Sequence, residues 1–330
     1  MADMFDSLRT ICRKIGGYRW KPACKSHLAQ STSRITVAVA ASVLAFSIAC
    51  LAVPSRPVIR ITGSDTMVNL VQAWAEHYKE VQPTVSVQVS GGGSGVGIAG
   101  LIDGTVDIAA ASRDMKAGER QSGRARNGAE PKEFTVALDA LAVYVHKDNP
   151  LDAISIEDLA EIYGEQGRIV KWSELGTLNP ACPSDRVIRV GRQNNSGTYA
   201  YFREVVLGWS REYKMGSIDQ SGSKDVVALV SRTPCAIGYS GIAFATSGVK
   251  VVKISPREGG PAIAPSETTV IDRSYPIARP LYLYTAREPV DQVKEFLDWV
   301  LALDGQQIVR DLGFVPASGP DSSSVRRRRQ

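Results

Sequence analysis

Loops of glycine and hydroxyl residues recur three times in this chain, each between a predicted strand and a predicted helix. Segment 58–62 (VIRIT) alternates as a strand, GSDT breaks it at 63–66, and apolar residues at helical spacing follow over 67–80. The same order recurs after 84–89, with the loop GGGSG, and after 187–192, with a loop that ends in SGT. Strands that alternate with helices predict an α/β fold with a parallel sheet.

Further predicted elements extend this pattern over most of the chain. The strands are predicted over 106–111, 137–146, 236–240 and 249–254, and the helices over 98–102, 156–163, 199–207, 291–303 and 305–312. The body of the protein is therefore expected to run from about residue 57 to about residue 316. This is long enough for two domains of ordinary size.

The N-terminal part differs from this body. Residues 35–53 form an uncharged apolar run after a basic segment, which is typical of an export signal with its N-terminus inside. The run is near the ~20 residues that span a bilayer, so it predicts either a cleaved signal, with Cys50 as a possible lipidation site, or a retained anchor. We divide the ends into a basic cytoplasmic leader (1–34), a signal peptide or anchor with its linker (35–56) and a disordered basic tail (317–330). The body should lie in the periplasm or at the cell surface.

The net charge of +5 comes from the two ends of the chain. Residues 1–34 hold seven basic and two acidic residues, and 326–329 are four arginines, so residues 35–325 carry a net charge of −4. The body therefore lacks the basic field that would attract nucleic acid. An anion bound there would need local donors.

The five cysteines are scattered through the sequence, and no C-x-x-C pair or His/Cys/carboxylate cluster has the spacing of a metal site. Of the five, Cys182 and Cys235 lie in the predicted body. They could pair outside the cytoplasm, where disulfides persist, but spacing alone does not establish the pair. We expect no metal and no other cofactor.

The three loops have the composition of anion-binding sites. Helix N-termini present unpaired N–H groups, glycine lets the backbone approach a ligand, and Ser or Thr adds hydroxyl donors. Each loop alone is more simply explained as a helix cap or turn, whereas three in one chain favour a binding site. Arg192, four residues before Ser196, could fork onto two oxygens of a tetrahedral anion. Ser112 and Arg113 follow another predicted strand, where ligands gather in open α/β sheets.

Catalytic motifs do not fit these loops. A P-loop would need a lysine after the glycines, and a hydrolase elbow would need G-x-S-x-G, whereas Ser94 is followed by Gly95 and Val96. The chain has only three histidines, none of them placed for a Ser-His-Asp triad. A site rich in anion donors and poor in acid–base groups predicts binding rather than catalysis.

Six motifs make the body resemble the phosphate-binding proteins of high-affinity phosphate ABC importers, the PstS family. The motifs are GSDT (63–66), GGGSGVGIAGLIDGTVDIAAASRDMK (91–116), SGTY (196–199), AIGYSG (236–241), RPLYLYT (279–285) and GFVP (313–316). The resemblance implies a type II periplasmic-binding-protein fold, with two α/β lobes, a central cleft and two crossover strands. Lobe one would combine 58–146 with 245–316, and lobe two would be 147–244.

The resemblance also implies which residues bind the ligand. These are Thr66, Met67 through its amide, Ser94, Ser112, Arg192, Ser196, Gly197 and Thr198, with Arg113 as a neighbour. Many members of the family place a carboxylate at the position of Ser112, where it accepts the proton of HPO₄²⁻ and so selects phosphate over sulfate. That acceptor must come from elsewhere here, and the candidates are Asp65, Asp139 and Asp114, in that order.

The implied function is extracytoplasmic capture of inorganic phosphate and its delivery to the permease subunits of an ABC importer. We expect a monomer with no enzymatic activity. One alternative is a membrane-anchored phosphate sensor or surface protein with the same fold, which a retained anchor at 35–53 would favour. Another is an extracytoplasmic phosphatase, against which the scarce histidines and the missing metal spacing argue.

Overall fold

The computed structural model describes residues 56–208 and 210–317. The predictions made for the leader 1–34, the apolar run 35–53, Cys50 and the tail beyond residue 317 lie outside the described residues. Within the described part, no helix combines the length and the apolar character that crossing a membrane requires.

The described chain alternates strands and helices over most of its length. The strands are β1 (Val58–Gly63), β2 (Ser86–Ser90), β3 (Ile108–Ala111), β4 (Lys132–His146), β5 (Ala153–Ser155), β6 (Ile188–Arg192), β7 (Ile218–Gln220), β8 (Ala236–Gly241), β9 (Val249–Ser255), β10 (Ala278–Thr285) and β11 (Val315–Pro316). The helices are α1 (Val68–Val81), α2 (Ser94–Asp103), α3 (Ala117–Asn127), α4 (Ile156–Tyr163), α5 (Gly197–Phe202), α6 (Ser223–Ser231), α7 (Glu267–Ile271), α8 (Asp291–Leu301) and α9 (Leu303–Asp311).

The main sheet has the strand order β2-β1-β3-β10-β4-β8-β6-β7. At one end β1 pairs in parallel with β2 and β3, and at the other β6 pairs in parallel with β7 and β8. Between these ends, β10 is antiparallel to β3 and β4, and β4 is antiparallel to β8. The α/β prediction is confirmed, and so is the parallel pairing expected of the first strands of the body, β1, β2 and β3. The central strands are antiparallel, because they carry the chain between the two ends of the sheet instead of following a helical crossover.

Strand β4 connects the two parts of the sheet. Its residues from Lys132 to Ala140 pair with β10, and those from Leu141 to His146 pair with β8 and β9. The sequence predicted only 137–146, because this stretch is almost continuously apolar, whereas the strand begins at the exposed Lys132 and Glu133. A single strand therefore runs through both halves, as expected of a crossover strand in a two-lobe fold.

Two large hydrophobic cores lie on either side of this change of partners. The first includes Trp74, whose Nε1–H donates to the carbonyl of Gly305 at 2.8 Å, and Phe296. The second includes Tyr163 and Tyr239 together with the β9 residues Val252 and Ile254. Strand β9 therefore packs with the second core.

A disulfide joins Cys182 to Cys235, as the sequence left open. Cys235 immediately precedes β8, and Cys182 lies in the long segment between α4 and β6. The indole Nε1–H of Trp172 donates to the carbonyl of Cys235 at 3.2 Å, so this segment is held to the second core by a covalent bond and by a buried side chain.

Two helices and one strand that shape the site were not predicted from the sequence. Helix α3 is strongly polar and buries only Gly123, so it lacks the apolar stripe by which a helix is recognised. Helix α6 follows a short strand, β7, which is exposed and only three residues long. Strand β10 was noted as the motif RPLYLYT but was not recognised as the central partner of β4.

Candidate functional site

The three loops that the sequence singled out lie together at the ends of β1, β2 and β6. With the residue after β3 and the start of α6, they bring six hydroxyl side chains into one buried group, none more than 3% exposed. We call this group the hydroxyl cluster; its members are Ser64, Thr66, Ser94, Ser112, Thr198 and Ser223.

Contacts within the hydroxyl cluster join the two halves of the sheet. The hydroxyl oxygens of Thr66 and Thr198 lie 3.0 Å apart, and those of Thr66 and Ser223 lie 3.3 Å apart. On the side of β1, Ser64 donates to Ser112 Oγ at 2.9 Å, and the backbone N–H of Ser112 donates to Ser94 Oγ at 3.1 Å. Each hydroxyl can rotate to donate, so the cluster is a compact set of donors.

Arg192 ends β6 and reaches this cluster with a side chain that is 0% exposed. Its Nη1–H donates to Ser223 Oγ at 2.9 Å, and its Nη2–H donates to the carbonyl of Ser221 at 2.8 Å and to Asp65 Oδ2 at 3.3 Å. Burial lowers the pKa of Arg192 to about 10, and the charge of Arg279 adds to this effect, whereas Asp65 opposes it. The arginine therefore carries its charge into a site largely shielded from water.

A second buried arginine, Arg279, also contacts the cluster. Its Nη2–H donates to Thr198 Oγ1 at 3.0 Å and to Thr66 Oγ1 at 3.4 Å, so it contacts hydroxyls from both halves of the sheet. Asp139, its cross-strand neighbour on β4, accepts from Nε at 3.0 Å and from Nη2 at 2.8 Å. Burial raises the pKa of Asp139, while the guanidinium of Arg279 and the N–H of Ile242 oppose the rise.

Asp65 lies at the edge of the cluster and is partly exposed, at 22%. Its Oδ1 accepts from the backbone N–H of Gly92 at 2.9 Å, and its Oδ2 faces Arg192. The two arginines and the two aspartates give the site no net charge. An anion would therefore be held by local donors rather than by an overall positive field.

Close approach of the loops depends on glycine at two positions. A Cβ on Gly197 would lie 2.3 Å from Ser94 Oγ and 2.6 Å from Ser112 Oγ. Gly93 has a φ of +93°, and a Cβ there would lie 2.7 Å from the carbonyl oxygen of Asn195. A larger residue at either position would push the two loops apart.

Several predicted site residues have other contacts. The side chain of Ser196 caps α5 by accepting from the N–H of Thr198 at 3.1 Å, and the amide of Met67 donates to the carbonyl of Ser64 at 2.9 Å. The guanidinium of Arg113 donates to the carboxylate of Glu119 through both terminal nitrogens, with Nη1–Oε2 at 2.8 Å and Nη2–Oε1 at 2.7 Å. Asp114 lines a cavity of about 450 Å³ outside the cluster.

Three residues of this site were missed at the sequence level. Arg279 stands first in the quoted motif RPLYLYT but was given no role, although an arginine within an otherwise apolar strand signals a buried charge with a partner. Ser64 lies inside the GSDT loop, next to residues that were chosen. Ser223 begins a helix that was not predicted, so no pattern pointed to it.

The chemistry of the site is that of oxyanion binding. Hydroxyl and guanidinium donors converge from both halves of the sheet, and buried charge-assisted hydrogen bonds are the strong ones. Among the described residues, no group of three or more His, Cys, Asp or Glu side chains could hold a metal ion.

Comparison with known proteins agrees with this geometry. Residues 36–303 match the family model of the PBP superfamily domain. The chain is 36% identical over 264 residues to the phosphate-binding protein PstS of Pseudomonas aeruginosa, covering 77% of this chain and 81% of that protein.

Solved structures give the same result. A candidate phosphate ABC transporter substrate-binding protein from Clostridium perfringens, solved with bound phosphate, is 29% identical with a TM-score of 0.69, covering 79% of this chain and 100% of that one. An ABC-type phosphate transport receptor from Vibrio cholerae is 25% identical with a TM-score of 0.63, covering 78% and 99%. The fold is thus the two-lobed periplasmic-binding-protein fold, and the chain belongs to the PBP superfamily and, within it, to the PstS family of phosphate-binding proteins.

Proposed function

We propose that this protein captures inorganic phosphate outside the cytoplasm and delivers it to the permease of an ABC importer. The observation that carries the proposal is the hydroxyl cluster, which is buried between the two halves of the sheet and flanked by Arg192 and Arg279. The relatives named for phosphate binding and phosphate transport support the same ligand.

Size and burial of the site favour a small free anion. Donors from both lobes lie within hydrogen-bond distance of one another, so the ligand would be enclosed on all sides when the lobes are together. A site lined this closely by donors favours a small anion over the organic group of a phosphate ester. We therefore propose free phosphate, and its analogue arsenate, rather than a phosphomonoester.

The binding residues that we propose combine predicted and newly found ones. They are Thr66, Ser94, Ser112, Arg192, Thr198, Ser223 and Arg279, with Ser196 and Gly197 holding the start of α5 in place. Met67 and Arg113 contribute less in this proposal, because the amide of Met67 and the fork of Arg113 already have protein partners.

Asp65 remains our first candidate for the acceptor that selects protonated phosphate. The Oδ2 of Asp139 accepts two hydrogen bonds from Arg279. Asp65 instead lies beside the glycine loop and faces Arg192 across the cleft. If Asp65 accepts the proton of HPO₄²⁻, Asp65→Asn should weaken phosphate binding and allow sulfate to bind, since an amide can donate to an unprotonated oxygen. Sulfate that is still excluded by Asp65→Asn would assign the role elsewhere.

Binding would proceed without a covalent step. Phosphate would meet one lobe, the lobes would close, and donors from both would replace its water shell. Excluding water strengthens each charged hydrogen bond in the closed site. The disulfide between Cys182 and Cys235 supports export, since such bonds persist in oxidising compartments.

Isothermal titration of the full-length protein with phosphate, arsenate and sulfate tests the proposal. We expect phosphate and arsenate to bind one per chain with micromolar or tighter affinity, and sulfate to give no binding heat. Absence of heat with phosphate between about pH 6 and pH 8 would contradict the proposed function.

A further inference from the structure

Asn195 connects the two lobes without belonging to the hydroxyl cluster. It lies in the loop after β6, and its Nδ2–H donates to the carbonyl of Gly92 at 2.9 Å. Its own carbonyl accepts from the backbone N–H of Gly95 at 3.1 Å. Both partners belong to the glycine loop that precedes and begins α2, so Asn195 contacts the other half of the protein through its side chain and its backbone.

The glycine loop is shaped to receive this residue. A Cβ on Gly93 would lie 2.7 Å from the carbonyl oxygen of Asn195 and 3.2 Å from its Cγ, so the approach depends on the absence of a side chain there. The N–H of Gly95 is among the first of α2, which have no partner inside the helix. Asn195 therefore provides an acceptor for one N–H of the first turn of α2 from across the cleft.

This contact differs from the proposed phosphate contacts in exposure and in partners. The hydroxyl cluster is buried, whereas Asn195 is partly exposed, and its two hydrogen bonds join protein to protein directly. The energy of these bonds therefore depends on how the lobes are placed and not on which anion lies between them.

We propose that Asn195 is a positioning residue that stabilises the closed arrangement of the lobes and thereby sets the rate of phosphate release. The proposal rests on the proposed function. A contact that favours the closed state raises the apparent affinity by the factor by which it raises the closed population. It changes affinity for phosphate and arsenate equally and leaves selectivity unaltered.

The variant Asn195→Ala, with Asn194→Ala as the matched control, tests this role. Asn194 is the exposed neighbour of the same residue type, and its side chain makes no hydrogen bond with another described residue. In stopped-flow measurements on the full-length protein, Asn195→Ala should release phosphate roughly threefold to tenfold faster, the effect of about one neutral hydrogen bond, with little change in the association rate. The ratio of phosphate to arsenate affinity should stay at the wild-type value, as should every parameter of Asn194→Ala.

A second measurement on the phosphate-free protein separates this proposal from the proposed function. Hydrogen–deuterium exchange of a peptide covering residues 91–98 should be faster in Asn195→Ala than in the wild type and in Asn194→Ala. The substitution removes the side-chain bond to the carbonyl of Gly92, so the two loops separate more often, and the N–H of Gly95 is then less often held by the backbone carbonyl of residue 195, which the substitution keeps. Equal exchange in all three proteins would overturn the proposal even if phosphate binds. Faster exchange in a protein that binds no phosphate would support the contact while refuting the proposed function.

Discussion

Two arginine–aspartate pairs flank the same hydroxyl cluster, and they differ in almost every physical respect. Arg279 and Asp139 are neighbours on adjacent strands, both side chains are 0% exposed, and two donors meet one carboxylate oxygen at 3.0 and 2.8 Å. Arg192 and Asp65 come from different halves of the sheet, meet through one contact of 3.3 Å, and include a carboxylate that is 22% exposed.

This difference indicates a division of roles between the two pairs. The pair of Arg279 and Asp139 is held by the sheet itself, so it stays formed whether the lobes are apart or together, and its loss would damage the fold. The pair of Arg192 and Asp65 crosses the cleft and can form only when the lobes meet, so its loss should act on ligand binding.

The largest expected effect follows from removing Asp139. The substitution Asp139→Ala leaves the guanidinium of Arg279 buried without its counter-charge, which should lower the free energy of unfolding by about 3–5 kcal/mol. The matched control Asp65→Ala should cost at most about 1 kcal/mol, because that pair is partly exposed. Urea unfolding measures both variants. Equal losses would contradict the proposed division.

The next largest effect should be on binding, through Arg192. We expect Arg192→Met to weaken phosphate binding by about 100-fold, or about 3 kcal/mol, because it removes a buried charged donor. The free energy of unfolding of the ligand-free protein should change little. The hydrogen bonds lost with the guanidinium are offset because its charge no longer has to be buried. Arg192→Lys keeps the charge without the fork and should restore only part of the affinity. An affinity of Arg192→Met within about threefold of the wild type would contradict this role.

The pH dependence of binding should report the same arginine. The pKa of Arg192 is lowered to about 10, so phosphate affinity should fall by about tenfold per pH unit above that value as the guanidinium loses its proton. In the unfolded chain the arginine has its ordinary, higher pKa and so binds more protons than the folded protein above about pH 10. The contribution of Arg192 to stability therefore rises with pH there while binding weakens.

The variant Asp65→Asn sharpens this test. Because the charge of Asp65 raises the pKa of Arg192, its removal should move the fall in affinity to lower pH. Titration calorimetry of both proteins between about pH 8 and pH 10.5 measures the shift. An identical pH profile in the variant would show that the two residues are not coupled in solution.

The smallest expected effect is that of Ser223, the hydroxyl that links Arg192 to Thr66. Ser223→Ala should weaken phosphate binding by about fivefold, as expected for about 1 kcal/mol from one hydrogen bond. Ser221→Ala is the matched control, because Ser221 contacts Arg192 through its backbone carbonyl, which the substitution keeps. A loss of affinity in the control as large as that in Ser223→Ala would contradict a specific role for this hydroxyl.

The sequence predicted those parts of the fold in which local pattern and tertiary structure agree. Helix α4 was predicted with its observed bounds, since Ser155 and Asp158 form a capping box ahead of a strong apolar stripe. The loops around Thr66, Ser94 and Thr198 were recognised because glycine and hydroxyl residues follow alternating strands. Caps, apolar stripes and turn residues act within a few residues of one another, so the structures that they predict do not depend on distant contacts.

The remainder depended on contacts distant in sequence. Arg279 meets Asp139 across 140 residues, and only the pairing of β4 with β10 brings them together. Arg113 resembled a ligand residue because it follows β3, but its guanidinium forms two hydrogen bonds with Glu119 on the polar helix α3. Neither outcome could be deduced from the spacing of residues, because each depends on which strands and helices become neighbours.

The most direct test of the central claim is a crystal structure of the protein grown with phosphate. We expect one phosphate ion enclosed between the lobes, within hydrogen-bond distance of the guanidinium groups of both Arg192 and Arg279 and of the hydroxyl of Thr198. Phosphate bound away from these two arginines, or in contact with only one lobe of a closed molecule, would contradict this claim.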